Sequence, residues 1–498
     1  MKKHFQLRSL ALILALLMLS TMFAACGKPV DDSTDTKAPT PGTSSAGLTT
    51  APVETEAPET EYPAPQVENT NYKDKELRIL ANEPRTEFPY SEIYYSENTG
   101  DIINDAIFKR NTQITEKYGI TITTTDVSTG QGPKTFTNAI QADTNDFHFA
   151  SIRICDIMSA ASQGYLADVS TLPYLSLDAP WYYQNMRKSL SIGGEEYLLI
   201  GYFNMRVFDT LTFMGFNKNL AEKYQITGLN ELALDGKWTM DKMHEYAQQV
   251  SIDINQDGKI WSEDQIGLKS HSGYILSFFV GMGGSFVEKN SDDIPTYSGL
   301  SAKNEQLLSD IAKIIYDSSS AIHGLAADIK FETDPFAEDR MLFTPQLVYG
   351  MRGLSEAGVN YGVLPFPKAD ESQENYISHT HSKLGTAVGI PNNNTEMEMT
   401  SALVADLMYL SHKIIYPAHI EKAMQMRYSP EEDSTEMLKL LFGSLCIEMS
   451  TALNLKIDTQ LRNMGAKKAD NFASVFAGIK TADEKTIETY VSAFTKKG

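Results

Sequence analysis

The stretch "GITITTTDVSTGQGPKTFTNAIQADTNDFHFASIRICDIMSAASQG" (residues 119–164) decides the fold. It opens on a β-branched run, GITITTTDV, which reads as a strand. Residues 133–142 then carry a helical pattern, "FHFASIRI" reads as a second strand, and residues 155–164 read as a second helix. Just upstream, "KELRILAN" (residues 75–82) is a strand ending in a polar turn. It is followed at residues 101–118 by a helix with Ile102, Ile103, Ala106, Ile107, Ile114 and Tyr118 at helical spacing. Strand and helix alternating in this way predict an α/β unit with a parallel sheet covered on both faces. Ligands of such sheets bind beyond the carboxyl ends of the strands. That rule selects Asn82 and Glu83 after the first strand, and Arg153 and Asp156 after the third. Arg153 has two readings, a cleft residue or an ion-paired surface arginine.

The chain before this unit has a different texture. Residues 1–25 carry a basic start (Lys2, Lys3, Arg8) and an apolar run shorter than the ~20 residues of a membrane span. They read as a secretion signal. "FAAC" then resembles a bacterial lipobox, with Phe23 where leucine is usual and Cys26 as the lipidated residue. The alternative is ordinary cleavage and release. Residues 27–72 are rich in Thr, Pro, Ser, Ala and Glu, and such a segment cannot bury enough surface to offset its ordering entropy. It is expected to be a tether, with a reach of roughly 35–40 Å for a flexible chain of about 45 residues.

The body, from residue 73 to 498, is long enough for two lobes. The formal net charge is −21. This argues against nucleic acid and anionic lipid surfaces as partners. After Cys26 only Cys155 and Cys446 remain; they are expected as buried free thiols rather than a disulfide.

Midway, "DINQDGKIWSED" (residues 253–264) has the spacing of a calcium loop. Asp253, Asn255, Asp257 and Asp264 supply side-chain oxygens and Lys259 a carbonyl. Gly258 permits the sharp turn, and Ile260 pins the loop to a core. With aspartate in the last position, the spacing resembles the single loops of dockerin modules. Only one copy occurs, and extracellular loops of this kind bind weakly, with Kd ~10⁻⁴–10⁻³ M. The expected role of calcium is a structural clip between the helix capped by Thr239 and the strand "QIGLKS".

Several stretches occur in a telling order: "LPYLSLDAPWYYQ", "SIGGEEYLLIGYFN", "FMGFNKNLAEKY", "DGKWTMDKMHEYAQQV" running into the calcium loop, "YGVLPFPK" and "ENYISH". Together they resemble the extracellular solute-binding proteins of bacterial carbohydrate ABC importers, over nearly the whole chain from Leu77 onward. The resemblance implies a two-lobed periplasmic-binding-protein-like α/β fold, hinge-connected, with the ligand cleft between the lobes. One lobe would hold residues 73–191 and 384–428, the other 192–383 and 429–498. It also implies a soluble carbohydrate ligand, ABC permease subunits as partners, a monomer, and a lipid-anchored position on the outer face of the cell membrane. Peptides and other polar solutes remain open as ligands.

Position adds further candidates. Trp181 is either a sugar platform or a lobe-surface anchor. Asn204 and Arg206 fall near the expected crossover, and Tyr349 and Arg352 where the second lobe reaches the cleft. Tyr274 heads an aromatic stripe, with Phe278 and Phe279, that otherwise reads as core. His379 and His381 lie two apart and so face one side of a strand. They suit a metal or a hydroxyl, or else a polar strand at the second crossover. An enzyme reading finds no G-x-S-x-G, H-E-x-x-H or G-x-x-x-x-G-K motif. An anchored glycan-active enzyme and a wall-associated adhesion lipoprotein are the competing classes.

Overall fold

The computed structural model describes residues 62–85, 88–331, 333–419 and 432–495. Cys26, the signal segment and the tether up to residue 61 lie outside the described residues.

The first sheet is built as the alternation predicts. Glu76–Asn82 is its centre, flanked in parallel by Thr121–Val127 and Phe149–Arg153, with Ile79 opposite Phe149 and Thr124. Thr386–Gly389 returns from far along the chain and pairs antiparallel with Phe149–Arg153. The alternating strand and helix signals cannot announce that last pairing, because it joins residues more than two hundred positions apart. The first covering helix begins and ends on local chemistry. Asp101 caps Ile102–Tyr118 by accepting from the Ile103 and Asn104 amides, and Gly119 ends it at φ 68°. That conformation favours glycine.

The second sheet runs in the order Tyr361–Leu364, Thr212–Asn217, Met341–Leu347, Ile266–Lys269, Ala321–Ile322. Thr212–Asn217 is buried at every position, as a strand covered on both faces must be. Thr239 caps the helix Met240–Val250, its hydroxyl accepting from the Lys242 amide at 3.3 Å.

Two segments cross side by side between the sheets. Leu199 bridges Val388 and Leu211 bridges Thr380 in antiparallel fashion. The Thr210 and Thr380 hydroxyls lie 3.0 Å apart, and the Thr212 hydroxyl donates to the His379 carbonyl at 3.0 Å. Hydroxyls bonded within and between the crossovers satisfy the polar groups of a segment that has lost its sheet partners.

Packing begins earlier in the chain than the composition suggests. Tyr62 meets Trp181 edge-on at 5.3 Å, Pro65 is buried, and Tyr72 stacks on Tyr118 at 5.9 Å. Residues 62–72 therefore lie on the body rather than in the tether: their few aromatics supply the anchoring area that the polar residues around them lack. Cys155 and Cys446 are free thiols, as expected, but only Cys155 is buried; Cys446 is partly exposed.

Candidate ligand cleft

At the carboxyl end of the first sheet's central strand, Asn82 is 6% exposed and neither atom of its amide has a hydrogen-bond partner. The helix Gly132–Gln141 starts beside it. A Cβ on Gly132 would lie 3.3 Å from both Asn82 Nδ2 and Ile152 Cγ2, so glycine is what lets this helix end approach. The next loop is held from the crossover by Arg206, which donates to the Glu83 carbonyl at 2.9 Å and the Asn82 carbonyl at 3.4 Å. Its guanidinium lies 5.3 Å over the Phe88 ring. Glu92 accepts from the Arg206 amide at 2.8 Å and from the Thr386 hydroxyl at 2.8 Å, and approaches Arg206 Nε at 3.9 Å. Burial pushes the Glu92 carboxyl up despite the arginine, and burial likewise pulls the Arg206 guanidinium down. Both charges are thus stabilised mainly by each other and their hydrogen bonds.

The second sheet meets this loop through Tyr349, whose ring lies 5.1 Å from Phe88 at 75°. Nearby, burial first and then Tyr349 push the Tyr274 hydroxyl well up. Tyr274 packs on His271 at 4.5 Å. A cavity of about 10 Å³, the size of one water, lies beside Ser272 and is lined by His379, His381, Asp458 and Arg462. His379 is 2% exposed and neither ring nitrogen is bonded. Its ring lies 6.3 Å from His381, on the common side that their spacing predicts.

The structure therefore brings together Asn82, Glu83 and Arg206 on one side, and Tyr349 and Tyr274 on the other. Others fall elsewhere. Trp181 is 1% exposed among the rings of Tyr62, Tyr182 and Tyr409, so it is core and not a platform. Asn204 is fully buried, its amide reaching Ser151 and Thr386 at 3.4 Å each; it pins the crossover. Arg206, 2% exposed, is a strut that shapes the cleft rather than lining it. Arg153 forms a two-pronged pair with Asp156 at 2.6 and 2.9 Å, the ion-paired reading. Arg352 pairs with Glu356 one turn on, 2.7 Å away and half exposed. Phe88, Glu92 and Arg462 escaped the sequence reading. Phe88, in the Pro-flanked "EFPY" after a strand, carried a usable signal; Arg462, alone on a polar helix face, carried none.

In the 253–264 loop, Gly258 takes φ 87°. Asp253 accepts from the Asp257 and Gly258 amides, Asn255 from Asp257, and Asp257 from Lys259. Asp264 is fully buried and bonds the Ile254 and Trp261 amides. Ile260 is buried, its amide donating to the Ser318 carbonyl at 2.9 Å. The turn and the hard-oxygen donor set suit calcium. Their carboxylates rest on loop amides, and among the described residues no three His, Cys, Asp or Glu side chains gather as a metal-holding group.

No family model and no curated protein sequence matches the chain. Solved structures do. The cyclic α-maltosyl-1,6-maltose binding protein of Arthrobacter globiformis matches at TM-score 0.58 and 14% identity, over 84% of this chain and 100% of that one. An ABC substrate-binding protein of Listeria monocytogenes in complex with cycloalternan matches at 0.54 and 12%, over 84% and 100%. The galacto-N-biose/lacto-N-biose I-binding protein of a Bifidobacterium longum ABC transporter matches at 0.54 and 14%, over 84% and 98%. At such identities the likeness is one of fold: the chain has the two-lobed, periplasmic-binding-protein-like fold of these solute-binding proteins.

Proposed function

We propose that the protein is an extracellular receptor that captures a soluble sugar or oligosaccharide between its lobes and delivers it to an ABC permease, anchored to the membrane through Cys26. The observation that carries this reading is the part-exposed ring of Tyr349, seated on the buried Phe88, beside the unpartnered amide of Asn82. Aromatic faces cover a sugar's C–H surfaces, and a fixed amide pairs its hydroxyls. The paired crossovers supply a hinge, and a ligand touching both lobes stabilises the closed state by its differential affinity for it. Sugar ligands of proteins with this fold support the choice of cargo. Titration of the protein with neutral and acidic oligosaccharides tests the reading. Saturable binding weakened by Asn82→Ala and Tyr349→Ala is expected; binding unaffected by both contradicts it.

The 253–264 loop, in the same reading, takes calcium as a clip between the helix Met240–Val250 and the strand Ile266–Lys269. Its turn and donor set support this. Calcium should raise the melting temperature of the wild type and leave Asp257→Ala unmoved, whereas an equal shift in both rejects the site.

A further inference from the structure

A cavity of about 360 Å³, within the size range of small-molecule pockets, opens on the second sheet. Leu268 lies opposite Phe343 in the parallel pair of strands, so Lys269 emerges next to Thr344. Gln346, two positions further along its strand, shares the face of Thr344. Phe331, Asp334 and Phe336 form the opposite wall. That wall is fastened at several points. Asn217 donates to the Phe336 carbonyl at 2.9 Å. The ring of Phe331 packs on Trp261 of the 253–264 loop, with centroids 6.4 Å apart. Arg340 donates to the Ser262 and Asp264 carbonyls of the same loop at 2.6 and 3.0 Å.

The polar groups of the cavity are left to a ligand. The Thr344 hydroxyl is buried, on a residue 2% exposed, and has no hydrogen-bond partner. The half-buried Lys269 and Gln346 make no side-chain hydrogen bond or ion pair with any described residue. Asp334 accepts from the Phe336 amide at 3.0 Å through Oδ1, and its Oδ2 has no partner among the described residues. An orphaned buried hydroxyl costs stability until something bonds it. A bare anion would face Asp334, and a bare cation Lys269. A neutral sugar ring suits both, because its hydroxyls donate as well as accept, and its C–H face can cover the part-exposed ring of Phe331. Tyr349 follows Gln346 in the turn Val348–Gly350. Three residues of chain span at most about 11 Å, so a ligand that reaches both the cavity and Tyr349 is longer than one ring.

We infer that this cavity is a second sugar subsite, and that the cargo is a neutral oligosaccharide with one ring in the cavity and another against Tyr349. This rests on the receptor reading and narrows it. Calorimetric titration of the full chain with the mono- to tetrasaccharides of starch, xylan, β-1,4-galactan and polygalacturonate tests it. In a neutral series, affinity should rise about tenfold or more from the mono- to the tetrasaccharide, the worth of one to two added hydrogen bonds. Lys269→Met should weaken the tetrasaccharide about 10–100-fold and Thr344→Val about 2–10-fold, the worth of one charged and one neutral hydrogen bond. Thr344→Val loses no hydrogen bond of the free protein, so its melting temperature should hold or rise. Affinity independent of length, binding confined to the galacturonate series, or both variants binding the tetrasaccharide like the wild type overturns the inference and leaves the receptor reading standing. Failure of every saccharide overturns both.

Discussion

Replacing Arg206 by methionine keeps most of its volume and removes its charge. Glu92 would then remain 5% exposed with only the Thr386 hydroxyl, the residue-206 amide and a more distant Arg110 to stabilise it. Breaking a buried pair costs about 3–5 kcal/mol. The 3.9 Å separation and the surviving hydrogen bonds put this case near the lower end, about 3 kcal/mol. Unfolding entropy of ~2.1 cal/mol/K per residue over the Glu61–Gly498 unit gives about 0.9 kcal/mol/K, so the melting temperature should drop by about 3 °C. The cause is isolated by a double-mutant cycle in urea. In a Glu92→Gln background no charge is left stranded, so Arg206→Met should cost at least ~1 kcal/mol less than in the wild type. Equal costs in the two backgrounds would refute the reasoning: Arg206 would then act through packing on Phe88 and the Asn82 and Glu83 carbonyls alone.

Other outcomes follow from the same contacts. Phe88→Ala should cost about 3–5 kcal/mol of stability in urea, because the ring is buried between Arg206 and Tyr349; a cost under about 1 kcal/mol would show that the ring does not pack there. Trp181→Ala should cost about 3–5 kcal/mol of stability in urea by emptying core volume, while glycan affinity stays within twofold; selective loss of affinity would restore it as a platform. His379 is held down to about 3, by burial first and then by His381. A histidine kept neutral in the fold is protonated first in the unfolded chain, so its contribution is full above pH 6.5 and is lost as pH falls toward 3. His379→Gln should accordingly flatten the acid side of the stability–pH curve. Glu448, raised to about 7 by burial, works in the opposite sense in both proteins and so drops out of the comparison.

Local chemistry made much of this molecule legible. The three parallel strands of the first sheet, their covering helices, the Thr239 cap and the common side of His379 and His381 all follow from spacing and end residues a few positions apart. The carboxyl ends of the strands correctly drew attention to Asn82, whose buried, unbonded amide is the cleft's most distinctive group. What failed did so for lack of partners in the local sequence. Trp181 sits in a polar, Pro-led segment, yet Tyr62 and Tyr409 arrive from far along the chain to bury it. Arg206 was chosen for its position after an apolar strand; its role as a strut depends on Glu92 and on carbonyls more than a hundred residues upstream. The one-water cavity joins Ser272, His381 and Arg462 from three separate segments, and no single window of sequence contains it.

The central claim is that a glycan binds between the lobes against Tyr349 and Asn82. Small-angle scattering of the full chain, with and without saturating acidic or neutral oligosaccharide, tests it most directly when run in parallel on Tyr349→Ala. The account predicts a smaller radius of gyration on binding for the wild type, and none of that contraction for the variant at the same ligand concentration. Contraction of equal size in both proteins, or calorimetric binding without any contraction, would contradict it.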